Sequence, residues 1–224
     1  KKVVYHRYGG VDVLQMDELD LPTISGGKLL IKVKAVSINP LDWKIINGEL
    51  KPMTGFKFPK GVGIDFSGTV EQVGRGVQRF AIGDEVFGLV NVFKGGALAE
   101  YVLVHEDLVA LKPKSISFEQ AAALPVTGTS ALQILDRITS VGKGSEVLIN
   151  GATGGIAMFA TQIAKSKGAI VTAVVSSHGI EWARKWGADT IVDFTRENIL
   201  QRTNRYDAVI DLAGELPFEK AKVL

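Results

Sequence analysis

Two hydrophobic periods run along the chain, and they change over near residue 113. Before that point, apolar and polar residues alternate in short runs. In Lys28-Leu-Leu-Ile-Lys-Val-Lys-Ala-Val36, Ile31, Val33 and Ala35 fall on one face and Lys32 and Lys34 on the other. That two-residue period marks a half-buried strand. Residues 1–5, 66–73, 85–87 and 98–104 read as further short strands. Glycine turns separate them, at Gly9-Gly10, Gly26-Gly27, Gly74-Arg-Gly76 and Gly95-Gly96. Many short strands joined by such turns predict a small β-barrel over residues 1–112.

After Lys112-Pro113-Lys114 the period lengthens. Ser117-Phe-Glu-Gln120 reads as a capping box opening a short helix over 118–124, which Pro125 breaks. A second helix is expected from about Thr129 to Thr139, burying Leu132, Leu135 and Ile138. From Gly144, strands at 146–150, 170–175, 190–193 and 207–211 alternate with helices at 155–167, 179–186 and 197–203. In the first of these helices, Ile156, Phe159, Ile163 and Ala164 recur at the spacing of a sheet-facing stripe. Alternation of this kind predicts an α/β fold with a parallel, doubly wound sheet over 113–224. Four strands make part of a six-stranded dinucleotide sheet, and two further βα units would take roughly 50 residues. The second domain is therefore expected to be incomplete at its C-terminus.

Composition narrows the function. The 26 basic and 24 acidic residues give a net charge of +2, so no nucleic-acid partner is implied. No apolar run is long enough to span a membrane. The start reads as a strand rather than a signal peptide, although the chain does not begin with Met and a removed leader stays open. There is no Cys, which removes disulfides and thiolate metal ligands and fits a reducing compartment, expected to be the cytoplasm.

One stretch carries a ligand signal. Asn150-Gly-Ala-Thr-Gly-Gly-Ile-Ala-Met158 follows the apolar run Val147-Leu-Ile149 and opens a helical pattern. Strand, tight turn and helix together aim free backbone N–H groups and the positive end of a helix dipole at one spot, suited to a pyrophosphate. Gly151 and Gly154 fit the first two glycines of G-x-G-x-x-G with one residue inserted, Gly155 allows close packing, and Ala157 stands at the last position, where alanine is tolerated. Gly151, Ala152, Thr153, Gly154, Gly155 and Ile156 are thus candidate cofactor-binding residues. The bland alternative is a ligand-free βα turn. About twenty residues on, NAD-type sites place an acid that holds both ribose hydroxyls. Here the region reads Val174-Val-Ser-Ser-His-Gly179, with nothing to repel a 2′-phosphate, so NADPH is the expected cofactor. Ser176 and Ser177 can donate hydroxyls to phosphate, although Ser177 could equally cap the next helix. His178 adds one donor when neutral and two when charged.

The motifs in order resemble one family. Ala35-Val-Ser-Ile-Asn-Pro-Leu-Asp-Trp-Lys44, Gly63-Ile-Asp-Phe-Ser-Gly-Thr-Val70, Gly83-Asp-Glu-Val86, Gly96-Ala-Leu-Ala-Glu-Tyr101, Leu124-Pro-Val-Thr-Gly-Thr129 and the glycine turn are similar to medium-chain dehydrogenase/reductases, in the zinc-free quinone oxidoreductase and enone reductase branch. The resemblance implies a GroES-like β-barrel domain over 1–112 and a partial Rossmann domain over 113–224. The zinc-dependent branch has a Cys where Asn39 stands and a His where Ile64 stands, and neither replacement can bind zinc as they do. No metal is expected.

The resemblance also implies a chemistry. Without a Lewis acid, hydride transfer from nicotinamide favours acceptors whose anion is delocalised, such as quinones and α,β-unsaturated carbonyls. In the family, the loop after the strand read over 28–36 faces the cofactor. Asn39 could donate its amide to substrate or ribose, or simply form an Asn-Pro turn. Lys44 could place its ammonium near the developing enolate, or be a solvated lysine. Asp42 is expected to brace the loop, Trp43 to be core, and Asp65 to hydrogen-bond structurally. Thr127 lies where the family packs a hydroxyl against the nicotinamide. The glycine turn and the Asn39–Lys44 loop are expected to share a cleft. The alternative is a non-catalytic NADPH-binding stress or regulatory protein. A small quinone or enone is the partner, with a homodimer as the candidate assembly.

Overall fold

The alternating runs of the first half become antiparallel strands, and the helical runs of the second half flank a parallel sheet. The computed structural model describes residues 1–202, 205–222 and 224. It divides into two compact units, Lys1–Val126 and Thr127–Leu224.

In the first unit the strands are β1 (Lys2–Tyr5), β2 (Leu14–Asp17), β3 (Lys28–Ser37), β4 (Lys60–Gly61), β5 (Asp65–Val73), β6 (Glu85–Leu89), β7 (Tyr101–His105) and β8 (Val109–Leu111). They form a three-stranded sheet, β2-β1-β4, and a five-stranded sheet, β7-β3-β5-β6-β8. Strand β3 lies inside the larger sheet, antiparallel to both β5 and β7. Its apolar residues Leu29 and Ile31 meet Phe66, Val70 and Val86 in one core, while Lys32 and Lys34 remain exposed. A smaller core gathers Tyr5, Val13, Ile46 and Val62. Residues 97–100 tie the sheets together: Val3 N–H donates to Leu98 O at 2.9 Å and Val33 N–H to Glu100 O at 2.9 Å.

Helices α1 (Pro40–Asn47) and α2 (Lys51–Thr54) follow β3, so the segment expected as a loop after residue 39 is helical. Helix α3 (Phe118–Ala122) starts at the expected capping box, with Gln120 N–H donating to Ser117 Oγ and Ser117 N–H to Gln120 Oε1. Ser67 Oγ donates to Phe118 O at 2.6 Å, and Asp65 accepts from Val126 N–H at 3.1 Å. These bonds carry the first unit past residue 112, where the hydrophobic period changes.

Helix α4 (Pro125–Gln133) begins at Pro125 and runs into a π-helical turn over Ile134–Ile138. Pro125 therefore opens a helix as well as ending the one before it, as suits a residue without an N–H to lose. The buried row is Ala131 and Leu135, four residues apart, and the expected Leu132 and Ile138 are 45% and 74% exposed. The wide π turn changes the angular phase, so a three-residue spacing does not keep one face inward.

The second unit holds β9 (Glu146–Asn150), α5 (Gly155–Ser166), β10 (Ile170–Val175), α6 (Ile180–Lys185), β11 (Thr190–Asp193), β12 (Ala208–Asp211) and α7 (Phe218–Ala221). The strands are parallel, in the order β11-β10-β9-β12. On α5 the fully buried face is Ala157, Ala160, Thr161 and Ala164, with Ile156, Phe159 and Ile163 packing at its margins. Small residues let the helix approach the sheet closely, which the larger apolar residues alone would not suggest. The expected helix at 197–203 is one 3-10 turn, Ile199–Gln201, whose start is capped by Asn198 Oδ1 accepting from Leu200 N–H. Residue 203 lies outside the described residues.

Candidate active site

In the second unit, β9 delivers the chain into the glycine turn. Gly151 adopts φ +73°, and a Cβ there would sit 3.0 Å from the backbone nitrogen of Ala213. Only glycine meets both demands without strain. Ala152 is buried, and its N–H donates to Val174 O at 3.0 Å. Thr153 is exposed, with its methyl against Gly179, where a Cβ would come within 2.4 Å of it. Gly154 caps α5, whose first turn carries no acidic residue. The first-turn N–H groups of a twelve-residue helix thus face outward with positive potential. Thr127 belongs to this neighbourhood: a Cβ on Gly155 would lie 3.2 Å from Thr127 Cγ2.

The strand ends beside this turn hold a group that the sequence reading passed over. In the parallel register Val175 stands opposite Asp193. Ser177 Oγ donates to Asp193 Oδ2 at 2.5 Å, Thr195 donates its N–H and hydroxyl to Oδ1, and Arg196 Nε lies 3.5 Å from Oδ2. The Ser177 hydroxyl first, and then Thr195, hold the Asp193 carboxyl below the usual carboxylate range. So the region after β10 is not free of negative charge. Asp193 brings a carboxylate from the next strand, and the Ser177 proton is engaged. Ser176 is half-buried, and His178 is exposed in the 3-10 turn Ser177–Gly179. An acid closing the strand after β10 is the available sequence signal, and it lies beyond the stretch 174–179.

A cleft of about 930 Å³ opens at these strand ends, lined by Asn150, Gly151, Val174, Thr195, Arg196 and Leu216 among others. Carboxyl ends of parallel strands are where open α/β sheets bind ligands. Asn150 Nδ2 donates to Asp211 Oδ1 at 2.9 Å, bracing the cleft floor. Burial would raise the Asp211 carboxyl, but bonds from Leu216 N–H, Asn150, Gly214 N–H and Ala213 N–H hold it low. The close approach at Gly151, the open helix start and the cleft fit a dinucleotide.

In the first unit, Asn39 caps α1. Its N–H donates to Asp42 Oδ2 at 2.7 Å, and Asp42 N–H returns to Asn39 O at 2.9 Å. The Asn39 amide donates to Asp65 Oδ2 at 3.0 Å and is buried. Asp65 is fully buried and also accepts from Ser37 Oγ at 3.1 Å. Burial pushes the Asp65 carboxyl above the ordinary range, against the pull of Asn39, Ser37 and Val126; Asp42 is raised by burial too. Lys44 is exposed, with its Nζ 5.7 Å from the centroid of the Trp43 ring. Trp43, expected as core, is 48% exposed, because the α1 face that packs inward is Asp42, Ile45 and Ile46. Ile64 is buried, and among the described residues no group of three or more His, Cys, Asp or Glu is placed to hold a metal.

Comparison with known proteins agrees with this division. Residues 25–114 match the alcohol dehydrogenase GroES-like domain family, and residues 155–222 match the family described as zinc-binding dehydrogenase. A chloroplast envelope quinone oxidoreductase homolog of Arabidopsis thaliana is 36% identical, over 96% of this chain and 68% of its own length. An NADPH-dependent alkenal/one oxidoreductase, chloroplastic, of the same plant is 39% identical over 96% of this chain and 57% of its own. The expectation of a cytoplasmic location finds no support in these two relatives, which are named for the chloroplast. Among the described residues, no helix is long and apolar enough to cross a membrane. The quinone oxidoreductase of Coxiella burnetii superposes with a TM-score of 0.88 at 34% identity, over 95% of this chain and 68% of that one. An NAD-dependent alcohol dehydrogenase gives the same TM-score of 0.88 at 32% identity, over 98% and 72%. The chain belongs to the medium-chain dehydrogenase/reductase superfamily, in its quinone oxidoreductase and enone reductase branch.

Proposed function

We propose that the complete protein reduces a quinone or an α,β-unsaturated carbonyl with NADPH and without zinc. The observation that carries this is the Gly151 turn, where positive φ and the approach of Ala213 leave room for nothing but glycine above an open helix start. When bound, the nicotinamide supplies the hydride. The turn residues Gly151–Ile156 would hold the diphosphate, and Thr127 would pack beside it. Lys44 is free to bring a cation to the oxygen on which negative charge develops. Asn39, whose buried amide donates to Asp65, is assigned a positioning role: it fixes the start of α1 and so the direction of Lys44.

Zinc independence rests on the donor set. Ile64 is buried and offers no ligand atom, the Asn39 amide is engaged, and the sequence has no Cys. A delocalised quinol or enolate anion lowers the demand for a Lewis acid. The preference for NADPH over NADH rests on Ser176, His178 and the Arg196 guanidinium, which lies 3.5 Å from the Asp193 carboxylate that Ser177 and Thr195 already engage. The relative named an NADPH-dependent alkenal/one oxidoreductase supports both the cofactor and the substrate class. Steady-state oxidation of NADPH and NADH with 9,10-phenanthrenequinone and with a simple enone tests the reading. Turnover with neither acceptor, or better use of NADH, would overturn it.

A further inference from the structure

The first unit holds a cavity of about 350 Å³ that shares no residue with the Asn39–Lys44 segment. Its lining includes Lys2, Asp20, Asn91, Lys94 and Tyr101. Lys2 is half-buried, and its stem crosses two glycines: a Cβ on Gly61 would lie 2.7 Å from Lys2 Cε, and one on Gly96 2.5 Å from Nζ. Gly61 and Gly96 are glycines because their backbones approach each other and Gly96 adopts φ +113°, and the Lys2 stem lies in the space that their missing side chains leave. Among the described residues the Lys2 ammonium has neither a hydrogen-bond acceptor nor an ion-pair partner. Burial alone pushes it below the ordinary lysine range. A partly buried cation without a partner costs free energy, which an anion would offset.

Three further donors around the cavity are also unengaged. Lys94 Nζ, the Asn91 amide nitrogen and the Tyr101 hydroxyl have no partner among the described residues, whereas Asn91 Oδ1 already accepts from the N–H groups of Phe93 and Lys94. Lys1, also in the lining, is paired with Glu18 at 3.6 Å. Asp20 is the one acid in the lining and is exposed. We propose that this cavity binds a small tetrahedral oxyanion of the phosphate class, held by Lys2 and Lys94 with Asn91 and Tyr101 as neutral donors. Two cations against one exposed acid leave net positive potential. Donors on separate segments suit an acceptor that presents oxygens in several directions.

The test is titration of the complete protein with inorganic phosphate at constant ionic strength in chloride, followed by amide chemical shifts. Lys2→Met keeps the stem over Gly61 and Gly96 and removes the charge, so the fold is preserved. Lys2→Met and Lys94→Gln should each weaken phosphate about tenfold, the effect of one lost charge-assisted bond, and Asp20→Asn should tighten it. In the wild type, phosphate should slow acylation of Lys2, read by mass spectrometry at each lysine. Arg196→Gln, in the nucleotide cleft, should leave this binding unchanged. An unaltered affinity in Lys2→Met, loss confined to Arg196→Gln, or no shift near residues 91–101 would overturn the proposal.

Discussion

Three side chains carry the expectations at the scale of the residue. Lys44 is exposed over Trp43, so removing it should spare the fold. Lys44→Ala should lower kcat/KM for an enone at least tenfold, in line with loss of one group that stabilises developing charge, with little change in NADPH affinity. An unchanged kcat/KM returns Lys44 to the solvated surface. Asp193 sets a second expectation. Asp193→Asn removes the carboxylate that engages Ser177, and should raise the ratio of kcat/KM for NADPH over NADH by about tenfold; a falling ratio would mean that the carboxylate is needed to hold a donor in place. Asp65 gives a stability test. Its raised value means the folded state keeps a proton that the unfolded chain gives up at about pH 3.9. The contribution therefore falls as pH rises from there through the raised value. Over that window Asp65→Asn should lose less unfolding free energy than the wild type, measured by urea titration; parallel curves would contradict the assignment. At this scale the sequence showed the residue types but not their partners. The engagement of the Asn39 amide depends on β5 and that of Ser177 on β11, distant stretches that no local spacing connects.

The elements were more legible. The strands of the second unit fall where the apolar runs do, because a strand buried on both faces writes itself as a continuous apolar run. The capping box of α3 was readable because both partners lie within four residues. Helix phase was harder: α5 turns an alanine face inward, and the π turn after α4 shifts the phase, so large apolar residues were poor guides. The stretch Ile199–Gln201 is a 3-10 turn where a helix is expected, because three adjacent residues cannot show a period. The glycine turn is the element with the sharpest prediction. Gly151→Ala places a Cβ against Ala213 at φ +73° and should cost about 1–3 kcal/mol. NADPH affinity should fall with it, while Gly142→Ala, where a Cβ meets nothing within 4 Å, should leave binding intact. Equal effects of the two substitutions would separate the turn from the cofactor.

For the whole molecule, the hydrophobic period changes near residue 113, whereas the compact units are Lys1–Val126 and Thr127–Leu224 and α3 stays with the strands that hold it. The chain spans 57% and 68% of the two plant relatives compared above, so turnover is a property to be measured on the complete protein. Activity there should survive exhaustive chelation; loss on chelation with recovery on adding zinc would contradict the donor-set argument. The most direct measurement is the oxidation of NADPH by the complete, metal-stripped protein with 9,10-phenanthrenequinone or a simple enone, alongside NADH. The expected result is turnover of at least one acceptor, with NADPH preferred. Tight NADPH binding without turnover of either acceptor would contradict it and would make the protein a nucleotide-binding member of the fold.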